Sequence, residues 1–129
     1  MIENSQRLNL SLSETNERKE TPLILACRKN KPKIAIAILC QAKAQDIAIN
    51  AKDEKGNTAI HYAIKKDEEL AIQMIDNSQR LNLSLSETNE AKQTPLILAC
   101  DLKKPKIANA SLCQAKAQDI AINAKDKLY

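Results

Sequence analysis

Apolar residues fall along this chain in short blocks, each bounded by charged or turn-forming residues. The block Thr21-Pro-Leu-Ile-Leu-Ala-Cys27 predicts a helix. Thr21 is placed to cap the free N–H groups of the first turn, and Pro22 stands at the first helical position, where its missing N–H costs nothing. Leu23, Leu25 and Ala26 supply the apolar stripe. After a polar break from Arg28 to Lys31, Pro32 opens a second helix carrying Ile34, Ala37, Ile38 and Leu39. The alternation in Asp46-Ile-Ala-Ile-Asn-Ala-Lys-Asp53 then predicts an extended arm. Asp53-Glu-Lys-Gly-Asn57 reads as a turn, with Gly56 free to adopt positive φ.

The pattern recurs on two scales. Residues 1–53 align with residues 74–126 at a fixed offset of 73 and without a gap; eight positions differ and 45 are identical. Inside that block, the first helix returns as Thr58-Ala-Ile-His-Tyr-Ala-Ile64 and again as Thr94-Pro-Leu-Ile-Leu-Ala-Cys100, at spacings of 37 and 36. The repeating unit is therefore about 36 residues, two short helices and a connector. Periods of that size mark solenoids, in which each unit buries its apolar face only against its neighbours. The expected division is one domain over 1–129: a partial unit at 1–16, then units at 17–52, 53–89 and 90–129.

Composition narrows the core. There is no Phe and no Trp, and the aromatics are Tyr62 and Tyr129, so the interior must be built from Leu, Ile, Ala and Cys. A single Gly and four Pro exclude an all-β fold, which needs turn residues every few positions. The net charge of +4 spreads 20 basic residues among 16 acidic ones. Lys31, Lys33, Lys65, Lys66, Lys103 and Lys104 have no aromatic neighbours in the sequence to stack on bases, so they read as a solvated surface and not as a nucleic-acid stripe. The longest apolar run, Ile34 to Cys40, falls far short of the ~18 residues of a membrane span. Met1 does not open a basic-then-apolar stretch, so no secretory leader is expected from these residues. The expectation is a cytoplasmic protein with reduced thiols.

Three motifs carry a family resemblance. Thr-Pro-Leu-x-Leu-Ala at 21–26 and 94–99, Asp-x-x-Gly-x-Thr at 53–58, and Ile-Asn-Ala-Lys-Asp at 49–53 and 122–126 resemble the ankyrin-repeat family. The resemblance implies an all-α solenoid of about three and a half repeats, helix-turn-helix units joined by extended hairpins. It also implies a protein-binding or scaffolding role without catalysis. The middle copy keeps the family's histidine as His61, where the flanking copies carry Ile24 and Ile97. Two departures stand out. The units exceed the family's usual 33 residues, and Lys19 and Lys92 stand where a turn glycine is usual.

Few residues offer chemistry. Cys27, Cys40, Cys100 and Cys113 sit on apolar helix faces at a spacing of 13 with no Cys-x-x-Cys pair, which suits small hydrophobes better than zinc ligands. His61 lies inside the repeat motif and is expected to tie the loops of adjacent units. Asp67, Glu68 and Glu69 read as acids stabilising a helix N-terminus. No phosphate-binding glycine loop, nucleophile–base set or paired carboxylate motif occurs, so no catalytic residue, cofactor or metal is expected.

The eight differences between the copies point to a surface. Arg18/Ala91 and Glu20/Gln93 lie in the hairpin before the Thr-Pro, and Arg28/Asp101, Lys29/Leu102 and Asn30/Lys103 just after the Leu-Ala-Cys. The family resemblance implies that these are target-contacting positions, joined in the middle unit by Lys55, Asn57, Lys65 and Lys66. Ile36/Asn109 and Ile38/Ser111 exchange apolar for polar residues and read as a cap on the last unit, since a polar outer face keeps a solenoid soluble. Glu3/Asp76 is conservative and has no account. This concentration suggests an engineered scaffold with no dedicated ligand, made by duplicating a two-unit block; the alternative is a fragment of a natural, microbial ankyrin-repeat protein that binds other proteins. A monomer, or a weak homodimer through the N-terminal face, is expected in either case.

Overall fold

The computed structural model describes residues 12–41 and 47–114. Among them are seven helices: α1 (Pro22–Arg28), α2 (Pro32–Gln41), α3 (Ala59–Lys66), α4 (Glu68–Asp76), the single turn α5 (Ser78–Leu81), α6 (Pro95–Asp101) and α7 (105–114). The inner helices stack in the order α1, α3, α6, and α2 and α4 back onto α1 and α3 respectively. The partial unit expected at 1–16 lies mostly outside the described residues, as do Tyr129, Glu3 and the second Ile-Asn-Ala-Lys-Asp motif.

Helix ends form where the sequence predicts them. The Thr21 and Thr94 hydroxyls accept the N–H of Ile24 and Ile97, both at 3.2 Å, with proline at the first helical position. Asp67 caps α4 by accepting the Leu70 N–H, with Glu68 and Glu69 in the first turn. α1 ends with Asn30 at φ 57°, and Lys31 N–H reaches back to the Ala26 carbonyl. α6 repeats the same left-handed stop with Lys103 and Lys104.

Two helical stripes differ from expectation, and one cause explains both. In α1 the buried residues are Leu23, Ile24, Ala26 and Cys27, whereas Leu25 is half-buried. In α2 the buried residues are Ala35 and Leu39, while Ile34 and Ala37 are exposed and Ile38 is half-buried. The copies reverse these exposures. Ile34 is 55% exposed and its copy Ile107 fully buried; Leu39 is 7% exposed and its copy Leu112 51%. Likewise Ile24 is fully buried and Ile97 half exposed. Each helix thus carries two apolar rows, one toward the preceding unit and one toward the following unit. A row is buried where a described unit stands on its side.

The same geometry corrects the expected cap. Asn109 is exposed, but Ser111 is buried, because it shares the backward-facing row of Ile107, four residues earlier. The cysteine expectation is corrected too: Cys27 is buried, whereas Cys40, Cys100 and Cys113 are exposed. Cys100 repeats the sequence of Cys27 but lies on a forward-facing row at the third unit.

The alternation over 46–53 predicts burial correctly and backbone incorrectly. Asp46 lies outside the described residues. Ile47 and Ile49 are buried, yet 47–50 is a turn with Ala48 at φ 48° and a bond from Ala51 N–H to the Ala48 carbonyl.

Candidate protein-interaction face

Three hairpin tips project from one edge of the stack, each folded by a short polar side chain at its start. Oδ1 of Asn16 accepts the N–H groups of Arg18 and Glu20 at 2.9 and 3.0 Å. Oδ1 of Asp53 does the same for Lys55 and Asn57, both at 2.9 Å, and Oδ1 of Asn89 accepts Gln93 N–H at 3.0 Å. The last tip residue but one takes positive φ in all three: Lys19 at 63°, Gly56 at 77° and Lys92 at 64°. The lysines therefore preserve the turn that glycine makes in the middle unit, at the strain a Cβ carries in the left-handed region. Successive tips are stitched by one backbone bond each, Glu54 N–H to the Arg18 carbonyl and Glu90 N–H to the Lys55 carbonyl, both at 3.1 Å.

At the first junction the tips enclose a cleft of about 290 Å³, lined by Arg18, Glu20, Arg28, Asp53, Glu54, Lys55 and Tyr62. Its floor is a polar network. The Arg28 guanidinium forms an ion pair with the buried Glu20 carboxylate, and Asn16 Nδ2 donates to Glu20 Oε1 at 3.0 Å. Burial pushes the Glu20 carboxyl upward, but the bonds from Arg28 and Asn16 outweigh it and hold the group below its ordinary value. The Tyr62 hydroxyl donates to Asp53 Oδ2; burial and that carboxylate push the phenol up to about 12. The Lys65 ammonium sits 5.8 Å from the centroid of the Tyr62 ring, which corrects the expectation that this lysine has no aromatic neighbour, since the two lie one helical turn apart.

The second junction is tied differently. His61 Nε2 lies 2.8 Å from the Gln93 carbonyl. A carbonyl only accepts, so Nε2 carries the proton and Nδ1 is the acceptor for Thr58, from its N–H at 3.2 Å and its hydroxyl at 2.9 Å. The expected tie between adjacent units is this bond. Asn89 Nδ2 adds a bond to Asn57 Oδ1 at 3.0 Å. At the opposite edge Asn50 clamps the next connector: its Nδ2 donates to the Asn82 carbonyl at 2.8 Å and its Oδ1 accepts Ser84 N–H at 2.7 Å. Asn50 was not expected as a tie; its place inside the recurring Ile-Asn-Ala-Lys-Asp motif is the signal that marks it.

Of the residues expected on the interaction face, Arg18, Lys29, Asn30, Lys55, Lys65, Lys66, Ala91, Asp101, Leu102 and Lys103 are exposed along this edge. Arg28 and Gln93 are half-buried. Glu20 and Asn57 are buried and are not surface residues, because each is the last tip residue and turns inward to the network beneath. The exchanges Glu20/Gln93 and Arg28/Asp101 are consequently one structural event: the two sites are in contact, and the copy that loses the carboxylate also loses its cation.

The family model described as "Ankyrin repeats (3 copies)" matches residues 3–84. An ankyrin repeat domain from Acinetobacter baumannii superposes with a TM-score of 0.68 at 18% identity, over 82% of this chain and 53% of that one. A probable serine/threonine-protein kinase of Dictyostelium discoideum is 23% identical over 122 residues, 95% of this chain but 14% of the kinase. The chain thus spans only part of both relatives. Among the described residues no helix is long and apolar enough to cross a membrane.

Proposed function

Because the chain belongs to the ankyrin-repeat family, whose repeats generally mediate protein–protein contact, we infer that it is a non-catalytic interaction scaffold with units at 17–52, 53–89 and 90–129. The carrying observation is the register of the tips and inner-helix ends. Arg18, Lys55 and Ala91 occupy the same station of successive units, as do Arg28, Lys65 and Asp101, and the two long copies differ chiefly along this edge. Two groups with chemical potential, His61 and Cys27, are internally committed. Both ring nitrogens of His61 are engaged, and burial, with the Asp67 charge, pushes the Cys27 thiol up to about 12, far from a reactive thiolate.

Two features support duplication followed by drift over deliberate design. Ser111 buries a hydroxyl with no partner among the described residues, and lysines occupy left-handed tip positions; design practice avoids both. To test the interaction face, immobilised chain is used to capture a partner, whose affinity is then compared between the native chain and Lys29→Glu with Lys66→Glu. A large loss is expected. A specific partner that binds the double variant unchanged sinks this face as the contact surface.

A further inference from the structure

One station of the inner helices shows what each unit does for its predecessor. Ile24 of α1 and His61 of α3 occupy it in the first two units and are fully buried, while Ile97 of α6, with no described unit after it, is 50% exposed. The following unit therefore supplies the cover at this station. For His61 that unit is the third: α6 packs on α3, and the Gln93 carbonyl at the end of its hairpin lies 2.8 Å from Nε2. Withdrawal of the third unit is what lets water reach the ring.

The covered ring is built for the neutral form. Nε2 donates to Gln93, and Nδ1 accepts the Thr58 N–H at 3.2 Å, with the Thr58 hydroxyl at 2.9 Å. A proton on Nδ1 turns that acceptor into a donor, and the N–H of Thr58, itself a buried residue, loses its acceptor. It also places a cation where water does not reach. The charged groups acting on the ring are Lys65 of its own helix and Lys52 and Asp53 of the preceding hairpin, two cations against one acid. The third unit brings the uncharged Gln93 carbonyl. Burial first, and then the two lysines, hold the ring below its ordinary value against the pull of that carbonyl. A wetted ring returns toward about 6.5. The uncovered form therefore binds the proton more tightly, and falling pH favours it.

We propose that the second junction is a proton-operated latch, in which protonation of His61 on Nδ1 uncouples the third unit from α3 while the first two units stay stacked. The first junction has no counterpart. Ile24 does not titrate, and the Glu20 carboxyl that pairs with Arg28 there is held below its ordinary value, so it stays ionised as the medium turns acid. In a solenoid, units and junctions contribute separately to stability, so one junction opens before the whole stack unfolds. A unit parted from its neighbour cannot bury its apolar face and loses its helices. The edge of hairpin tips thus spans three units at neutral pH and two in acid.

Hydrogen exchange of the whole chain, followed by mass spectrometry from about pH 7 to about pH 4.5, reads the two junctions separately once exchange times are scaled to the chemical rate at each pH. Protection of α6 is expected to fall ~10-fold or more across that range, while α1 keeps its own. His61→Ile, the residue of the flanking units, should hold α6 protection level. So should His61→Gln, which keeps a donor and an acceptor but does not titrate, and which serves if the isoleucine variant folds poorly. Unchanged α6 protection in the native chain down to about pH 4.5, an equal loss in α1 and α6, or an acid loss that persists in both variants would each overturn the latch.

Discussion

The Ser111 hydroxyl is enclosed at 3% exposure without a hydrogen-bond partner among the described residues, at a position where the other copy has Ile38. An orphaned buried polar group costs about 1–3 kcal/mol. Ser111→Ala is therefore expected to raise stability by about 1 kcal/mol, read as a higher urea midpoint at unchanged slope. Gly56 makes the opposite case. A Cβ there would meet the backbone of the next hairpin, Glu90 N at 3.0 Å and Asn89 Cα at 3.1 Å, in a left-handed conformation. Gly56→Ala should cost about 1–2 kcal/mol in the same denaturation experiment, although lysine holds the equivalent station in the flanking units. The third residue-scale test concerns the buried ion pair. Arg28→Ala strands the Glu20 carboxylate and should lower the melting temperature by several degrees, and adding Glu20→Gln should restore much of it; equal melting of the two variants would show that the pair is not coupled.

Helices and connectors show where sequence reading succeeds. Thr21 and its copy Thr94 were legible as caps, and Asp67 as an acid at a helix N-terminus, because such events are local and settled within a few residues. The row exposed on each helix was not legible. Ile34 and Ile107 are the same residue in nearly the same sequence, and only the neighbouring unit decides which is covered. The segment 47–50 shows a third situation, since alternation fixes which side chains go inside but a turn through Ala48 satisfies it as well as a strand does. At this scale the α3 N-terminus is the titrating element. Burial holds His61 below its ordinary value, against the pull of the Gln93 carbonyl, with Lys65 and Lys52 adding to the depression. A depressed histidine leaves the folded state with fewer protons than the unfolded state between the two pKa values. Stability is thus complete above the unfolded pKa of about 6.5 and declines as pH falls through the depressed folded pKa. Melting temperature should drop over that window, and His61→Ile, the residue of the flanking units, should flatten the dependence.

Across the whole molecule, near-identical copies behave unlike one another because position in the stack sets their environment. The four thiols report this directly. With an aromatic disulfide reagent, Cys40, Cys100 and Cys113 should react promptly and Cys27 only on unfolding, a difference that Cys27 and Cys100 cannot owe to their shared local sequence. Rapid labelling of Cys27 in the folded chain would contradict the burial of the first junction. The edge formed by the hairpin tips and inner-helix ends was legible in outline from the differences between copies. Its inward members Glu20 and Asn57 were not, since a tip residue that folds under looks like its exposed neighbours until the turn is built.

The ion pair has a consequence for the gene. Glu20 and Arg28 bracket the stretch Thr21–Cys27, which is identical to Thr94–Cys100. Recombination inside that stretch, with loss of the 73 intervening residues, would join Glu20 to Asp101 and set two carboxylates against each other where a cation now sits. The shortened product would carry its own folding defect. The contact between two side chains thereby resists loss of the second copy.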